Sequence, residues 1–243
     1  MKNLWSESEA KKIVKSNSKK GIGKELALRV YTSRLLGNNK KLVMHGGGNT
    51  SVKCKIKDYF GNSIDVLNIK GSGWDLGNIE AEGLPAVRLQ ELLNLLNLDK
   101  LTDEEMVNAQ RMNLINQASP NPSIETLLHA FLPHKVVDHT HATAFLSLAN
   151  LPDPKAILRE IFGDSLVLVP YIMPGFSLAK VAAEVAESNL KAKGLLLLKH
   201  GHFTWGQSAK ESYLRVIEQT NLIEKWFADR RRRANIRVKK DLK

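Results

Sequence analysis

Short apolar runs rich in leucine and β-branched residues alternate with longer amphipathic stretches along most of this sequence, and that alternation confines the fold to the α/β class. Strand side chains repeat on alternate residues and helix side chains about every 3.6, so the two kinds of run can be told apart. Strand-like runs cover residues 41–45, 51–57, 64–70, 135–140, 165–169 and Leu195–Lys199. Helix-like stretches cover residues 6–37, 85–97, 102–117, Ser123–Phe131, a segment from 142, 177–191, and a last one from 208. Ser6 can cap the first of these and Gly37 stops it, while the turn Ser119-Pro120-Asn121-Pro122 leads into the helix that Ser123 opens. No internal repeat or low-complexity linker divides the chain. At 243 residues and 43% hydrophobic it can bury one substantial core, which predicts a single α/β domain over residues 1–243.

Several classes are excluded by what is missing. No apolar run approaches the roughly 20 residues needed to cross a bilayer. The start, Met1-Lys2-Asn3-Leu4-Trp5-Ser6-Glu7, lacks the apolar core of a secretory leader. The single cysteine, Cys54, excludes an intrachain disulfide and argues against a cysteine-based metal site. The expectation is a cytoplasmic protein with no membrane partner. The formal net charge of +11 gathers at the two ends, in Lys11, Lys12, Lys15, Lys19, Lys20 and Lys24, then in Arg230–Arg233, Arg237, Lys239, Lys240 and Lys243. The second group continues a helical pattern through Leu214, Ile217, Asn221, Ile223, Trp226 and Phe227, where basic residues complement the helix dipole. No basic stripe interleaved with aromatics accompanies it, so a solvated tail is expected and no nucleic-acid partner.

Residues able to do chemistry concentrate in three places. In Val136-Val137-Asp138-His139-Thr140-His141 the β-branched pair announces a strand, and His139 and His141, two apart, project from the same face. An isolated His-x-His is more often two unrelated polar residues, because a metal site needs a third ligand from elsewhere. That ligand can come from Gly194-Leu195-Leu196-Leu197-Leu198-Lys199-His200-Gly201-His202, where a buried strand emerges at His200. His200 sits at the strand end, and His202 lies past a glycine that can redirect the chain. Three histidines with an open fourth position is the layout of a catalytic zinc. His129, within a helix, and His134, after Pro133, have no ligand-like context. The third place is Pro122-Ser123-Ile124-Glu125. A carboxylate in a first helical turn usually complements the dipole, but beside a metal site it can move a proton next to a carbonyl.

Two glycine-rich turns, Gly46-Gly47-Gly48-Asn49-Thr50-Ser51 and Lys70-Gly71-Ser72-Gly73, follow strand-like runs. Such turns let backbone N–H groups approach an anion. Neither has the spacing of a dinucleotide fingerprint or a P-loop.

In this order the residues resemble the class II aldolase/adducin head family, over roughly residues 25–225. Gly48-Asn49-Thr50-Ser51 is similar to its first phosphate loop and Gly71-Ser72-Gly73 to its second. Ser123-Ile124-Glu125 is similar to the segment carrying the acid/base, His139-Thr140-His141 to the paired zinc ligands, and Lys199-His200-Gly201 to the third. His45–Lys53, Lys70–Leu76 and Asp138–His141 look closest to the aldolase half of two-domain proteins that join a rhamnulose-1-phosphate aldolase to an alcohol dehydrogenase. This chain stops after the aldolase part, so oxidoreductase activity is not expected.

The resemblance implies a three-layer α/β/α sandwich around a largely antiparallel central sheet, as a homotetramer with the site at a subunit interface. It implies one zinc ion (Zn2+) per chain on His139, His141 and His200, with Glu125 as the catalytic proton carrier. Asn49, Thr50, Ser51, Gly71, Ser72 and Gly73 would hold the phosphate of a small phosphorylated sugar. The implied reaction cleaves a rhamnulose- or fuculose-1-phosphate-like ketose to dihydroxyacetone phosphate and an aldehyde. Tyr171, Tyr213 and His202 remain candidates for a second proton donor. A dehydratase or 4-epimerase using the same parts, or a non-catalytic adducin-like head, are the alternatives. The three histidines together with Glu125 favour an enzyme, because a scaffold has no use for an open metal site.

Overall fold

The computed structural model describes residues 1–241, with side chains described through Arg232. Its helices are α1 (Glu7–Ser18), α2 (Lys24–Gly37), α3 (Leu89–Asn94), α4 (Asp103–Met112), α5 (Thr126–Phe131), α6 (Thr143–Ala149), α7 (Pro154–Phe162), α8 (Phe176–Glu187) and α9 (Ala209–Asp241). Its strands are β1 (Asn49–Lys57), β2 (Ser63–Ile69), β3 (Ala86–Arg88), β4 (Val136–Thr140), β5 (Val167–Val169), β6 (Gly194–Leu197) and β7 (Gly201–Gly206). All seven strands join one sheet in the order β3-β2-β1-β4-β7-β6-β5. Only β5 and β6 run parallel; every other neighbouring pair is antiparallel.

Alternation along the strands builds the three layers. Leu195 and Leu197 of β6, with Val137 of β4 and Phe203 of β7, pack under α3, α4, α5 and α8 through Leu92, Met106, Leu127 and Leu178. Leu196, one residue out of step, packs on the other face with Leu36 of α2, Phe145 of α6, Leu158 of α7 and Val216 of α9. The sheet is therefore covered on both faces, and every residue of the central strands β4 and β7 is buried, polar ones included. Among the described residues no helix is long and apolar enough to cross a membrane.

Several elements differ from the sequence expectation for local reasons. The stretch 6–37 is two helices: Gly21 takes φ 76° between them, a left-handed conformation that interrupts the helical ladder. Ser6 does cap α1, accepting from the Glu9 N–H at 3.4 Å. Residues 41–45 form no strand, because the N–H groups of Leu42 and Val43 both turn back to the Asn39 carbonyl (2.8 and 3.2 Å). Both side chains are nevertheless buried, and that burial is what made the run look like a strand. Residues 85–97 divide into β3 and α3, and the helix expected over 102–117 ends at Met112 behind a Thr102–Glu105 capping box. The segment from 142 breaks at Asp153-Pro154, where Asp153 caps α7. Strand β7 has no counterpart in the sequence expectation. Of the basic C-terminal run, Arg231 and Arg232 are exposed on α9, and Lys243 lies outside the described residues.

Behind β4 lies a buried ion pair. The alternation that sends Val137 and His139 to one face sends Asp138 to the other, where its Oδ1 meets Arg29 of α2 at 2.6 Å with both side chains at 0% exposure. Replacing such a pair can be neutral, but removing one partner strands a buried charge. Asp138→Ala is expected to cost about 3–5 kcal/mol of folding stability. A urea titration reads this as a lower midpoint at similar slope; a loss under about 1 kcal/mol would mean that Arg29 finds other partners.

Candidate functional site

Strand β4 sits at the centre of the sheet, and its register places His139 between Asn49 of β1 and Phe203 of β7. His139 is fully buried and stacks on Phe203 with ring centroids 4.1 Å apart. His141 follows just beyond the strand end, and its Nε2 lies 2.9 Å from His139 Nε2. His200 arrives from the β6–β7 turn. That turn holds Lys199 at φ 56°, a conformation that non-glycine residues seldom adopt and that is kept where surrounding structure demands it. The next residue but one must be glycine: a Cβ on Gly201 would stand 2.5 Å from His139 Cε1 and 2.8 Å from the Thr140 carbonyl oxygen.

Each of the three imidazoles offers a nitrogen, and these atoms all lie within 4.8 Å of one another. The donor set fits a divalent cation. Two nitrogens on one tetrahedral zinc stand roughly 3.3 Å apart, close to the His139–His141 spacing. His139 Nδ1 is 3.2 Å from the His202 carbonyl, to which it donates, leaving the Nε2 lone pair pointed into the cluster. Burial pushes the His139 and His141 pKa values down, so both rings are held neutral, as ligation requires.

Glu125 closes the cluster from the other side. It occupies the residue before α5, and its side chain is only 9% exposed. Its Oε1 lies 3.1 Å from His200 Nε2 and its Oε2 3.4 Å from His139 Nε2. The Asn49 amide donates to Oε2 at 2.6 Å and to Ser123 Oγ at 3.0 Å. Burial alone would raise the carboxyl pKa. The His139 and His200 imidazoles beside it, the latter hydrogen-bonded to it, and the Asn49 amide outweigh burial and hold the group below the usual carboxylate range. The carboxylate is near enough to share a cation with the histidines or to take a proton from a molecule bound beside it.

The remaining expected residues are distributed by strand parity. Asn49 points toward the cluster, with His129 Nε2 at 2.5 Å from its Oδ1. Thr50 points to the opposite face, against Ser33 Oγ at 2.7 Å, and is fully buried. Ser51 returns to the first face but is buried against His129 Nδ1 at 2.8 Å. The N–H groups of Gly71 and Ser72 donate to the carbonyls of Gly83 and Asn121, both at 2.8 Å, while Ser72 and Gly73 are exposed. His129, which had no assigned role, thus fixes both Asn49 and Ser51; only the β1–α5 packing reveals it. Spacing in the sequence does not single out Lys70 either. It is buried between the two glycine turns, with Nζ 3.3 Å from the Gly46 carbonyl, and burial lowers its pKa against the pull of Asp75 and Glu125.

Two of the three second-donor candidates lie away from the cluster. His202 is fully buried on the opposite face, stacked on Phe145 and bonded to Gln219 at 2.6 Å. Tyr213 is fully buried and accepts from the Leu4 N–H at 3.0 Å. Tyr171 is 52% exposed, with its ring 5.9 Å from Lys199 Nζ, one residue before His200.

The model of the class II aldolase and adducin N-terminal domain matches residues 27–226. The chain belongs to that family. Its members are generally metal-dependent lyases that act on sugar phosphates, often as oligomers. Among solved structures, the N-terminal class II aldolase domain of a conserved protein from Thermoplasma acidophilum is 39% identical with a TM-score of 0.83, covering 93% of this chain and 99% of that one. The L-fuculose-1-phosphate aldolase of Thermus thermophilus shares the class II aldolase fold at 17% identity and a TM-score of 0.56, over 86% of this chain and 95% of that one. An uncharacterized oxidoreductase of Bacillus subtilis (strain 168), YuxG, is 39% identical over 95% of this chain. The chain spans about a third (32%) of the length of that relative.

Proposed function

We propose that this chain is a zinc-dependent aldolase that cleaves a phosphorylated ketose of the rhamnulose- or fuculose-1-phosphate type to dihydroxyacetone phosphate and an aldehyde. The observation that carries the reading is the position of Glu125, 3.1 and 3.4 Å from two of the three clustered imidazoles. A structural metal site has no need of a desolvated, ionised carboxylate at its edge; a site for proton transfer beside a carbonyl does.

His139, His141 and His200 would hold one zinc per chain, since an all-imidazole set with an open position suits that ion. The bound cation supplies Lewis-acid stabilisation of the negative charge that develops on the substrate's carbonyl oxygen during bond cleavage. Glu125 takes the proton from the carbon next to the carbonyl in the synthetic direction and returns it there after cleavage. Asn49 keeps the Glu125 carboxylate aimed, and His129 and Ser51 keep Asn49 in place. The phosphate is assigned to the start of β1 at Asn49 and the turn Gly71-Ser72-Gly73, with Thr50 and Ser51 anchoring the strand from within the core. Lys70, between the two turns, brings a positive charge to that end of the site. In the cell this assigns the chain a place in carbohydrate metabolism, as a homotetramer in the cytoplasm.

The test is a retro-aldol screen of the zinc-loaded protein against ketose 1-phosphates, with aldehyde and triose phosphate measured separately. Equal amounts of both are expected for at least one substrate. A dehydrated sugar phosphate without aldehyde, or an epimer without either product, would replace the aldolase reading with another reaction of the same site.

A further inference from the structure

Aldol cleavage needs two proton carriers on opposite sides of the breaking bond: one at the carbon next to the carbonyl, one at the hydroxyl that becomes the aldehyde oxygen. Glu125 can serve only the first. Resting on the aldolase reading, we infer that His45, clamped by Asp75 on the segment that abuts the histidine cluster, is the second.

His45 lies in the segment between α2 and β1 that abuts the histidine cluster. Two residues further on, the Cβ position of Gly47 is 3.6 Å from His141 Nδ1, and that of Gly48 is 2.7 Å from the His139 carbonyl oxygen. The segment is pinned rather than loose. Gly47 N–H closes a turn onto the Met44 carbonyl at 2.9 Å, Gly46 N–H donates to Asp75 Oδ2 at 2.9 Å, and Lys70 Nζ donates to the Gly46 carbonyl at 3.3 Å. Asp75 is itself fixed through its other oxygen by the Gly77 N–H at 2.7 Å.

On this frame His45 Nδ1 stands 3.0 Å from Asp75 Oδ2, while the ring is 95% exposed. An exposed histidine ordinarily samples several rotamers at little cost. Here a buttressed carboxylate holds the ring by Nδ1, and the side chain is otherwise open to solvent. A carboxylate on one imidazole nitrogen fixes the tautomer and orients the other nitrogen for proton transfer. The backbone donors at Gly46 and Gly77 hold the Asp75 carboxyl below its usual range, so it stays ionised in that role. Among the sequence candidates, His202 and Tyr213 are sealed in the core, and the exposed Tyr171 has no comparable support.

The step balances without a further reactant. In cleavage the hydroxyl gives its proton to His45 Nε2 as the carbon–carbon bond breaks. The O–H electron pair becomes the second bond of the aldehyde carbonyl, and the electrons of the broken bond pass into the enediolate. Glu125, having taken up a proton from solvent, then delivers it to the enediolate carbon, and His45 releases its proton to solvent, so the cycle closes with no net gain or loss.

The two proton transfers can be measured apart. Exchange of the proton next to the carbonyl of dihydroxyacetone phosphate into D2O, followed by proton NMR, needs Glu125 and no aldehyde. Cleavage needs both groups. His45→Gln in the zinc-loaded protein is expected to keep exchange within about threefold of wild type while cleavage falls about a hundredfold or more. Parallel loss of both rates would mean that His45 only shapes the loop, and cleavage at the wild-type rate would remove it from the reaction. Either result overturns the inference, as does the selective loss appearing in Tyr171→Phe instead. A wild-type protein that neither exchanges nor cleaves takes down the aldolase reading itself, a result no His45 variant can mimic.

Discussion

Glu125→Gln is expected to lower turnover by about a thousandfold or more while the fold and the bound zinc remain. The substitution is close to isosteric. The main chain at this residue is already committed: the His129 N–H donates to the Glu125 carbonyl at 3.2 Å as α5 begins, and glutamine preserves that bond. The Asn49 amide, 2.6 Å from Oε2, can donate to the new amide oxygen equally well. What disappears is basicity. The carboxylate is held ionised by the histidines and Asn49, and an amide in its place can neither take nor return a proton near neutral pH. A thousandfold loss corresponds to about 4 kcal/mol of transition-state stabilisation. Steady-state kinetics with metal analysis on the same sample checks it. Near-normal turnover with zinc present would remove Glu125 from the chemistry, and loss of zinc together with turnover would make it a ligand.

The legible parts of the fold were those in which one period persisted long enough to be read. Strands β1, β2, β4 and β6 fall within two residues of their expected limits because each is a compact apolar or alternating run. The stretch 41–45 looks like a strand in sequence because burial alone leaves the same apolar run as strand formation does. Leu42 and Val43 are core residues, yet their backbone N–H groups close turns onto Asn39. Strand β7 escaped for the opposite reason. Its sequence, Gly-His-Phe-Thr-Trp-Gly, carries glycines at both ends and polar residues within, and only its position between β4 and β6 makes it a central strand.

Within the site, what could be read from spacing was local: two residues apart on a strand, or one residue past its end. The clustering of His139, His141 and His200 follows from such local cues once β6 and β4 are brought within one strand of each other by β7. Contacts set by register were not accessible. Whether Thr50 or Ser51 faces the cluster depends on which residue of β1 opposes His139, and the structure pairs Asn49 there. That single register choice puts Asn49 and Ser51 on one face, and Thr50 with Asp138 on the other. The clamp between Asp75 and His45 spans thirty positions and has no periodic signature, so no reading of spacing could supply it.

His139→Ala should reduce zinc from about one ion per chain to under about 0.1, the largest change in binding expected from any single substitution here. His139 is the central member of the trio. Its ring lies 2.9 Å (Nε2 to Nε2) from His141, and its centroid 5.2 Å from that of His200. Without it the other two nitrogens have no rigid partner between them. The His202 carbonyl that fixes its tautomer, the Phe203 ring beneath it and the missing side chain at Gly201 all serve its placement. Losing an outer partner of a metal-bound histidine typically weakens binding ten- to a hundredfold, and losing the ligand itself should exceed that. Because the ring is fully buried, the same change leaves a cavity and should cost about 2–4 kcal/mol of stability, so metal loss alone could be misread as unfolding. His141→Ala separates the two effects. That side chain lies at the strand end and is only half buried, so its removal should abolish zinc binding with little change in the urea midpoint of the metal-free protein. Full zinc occupancy in either folded variant would exclude that histidine from the site; metal-free but folded His141→Ala protein would assign the loss to ligation.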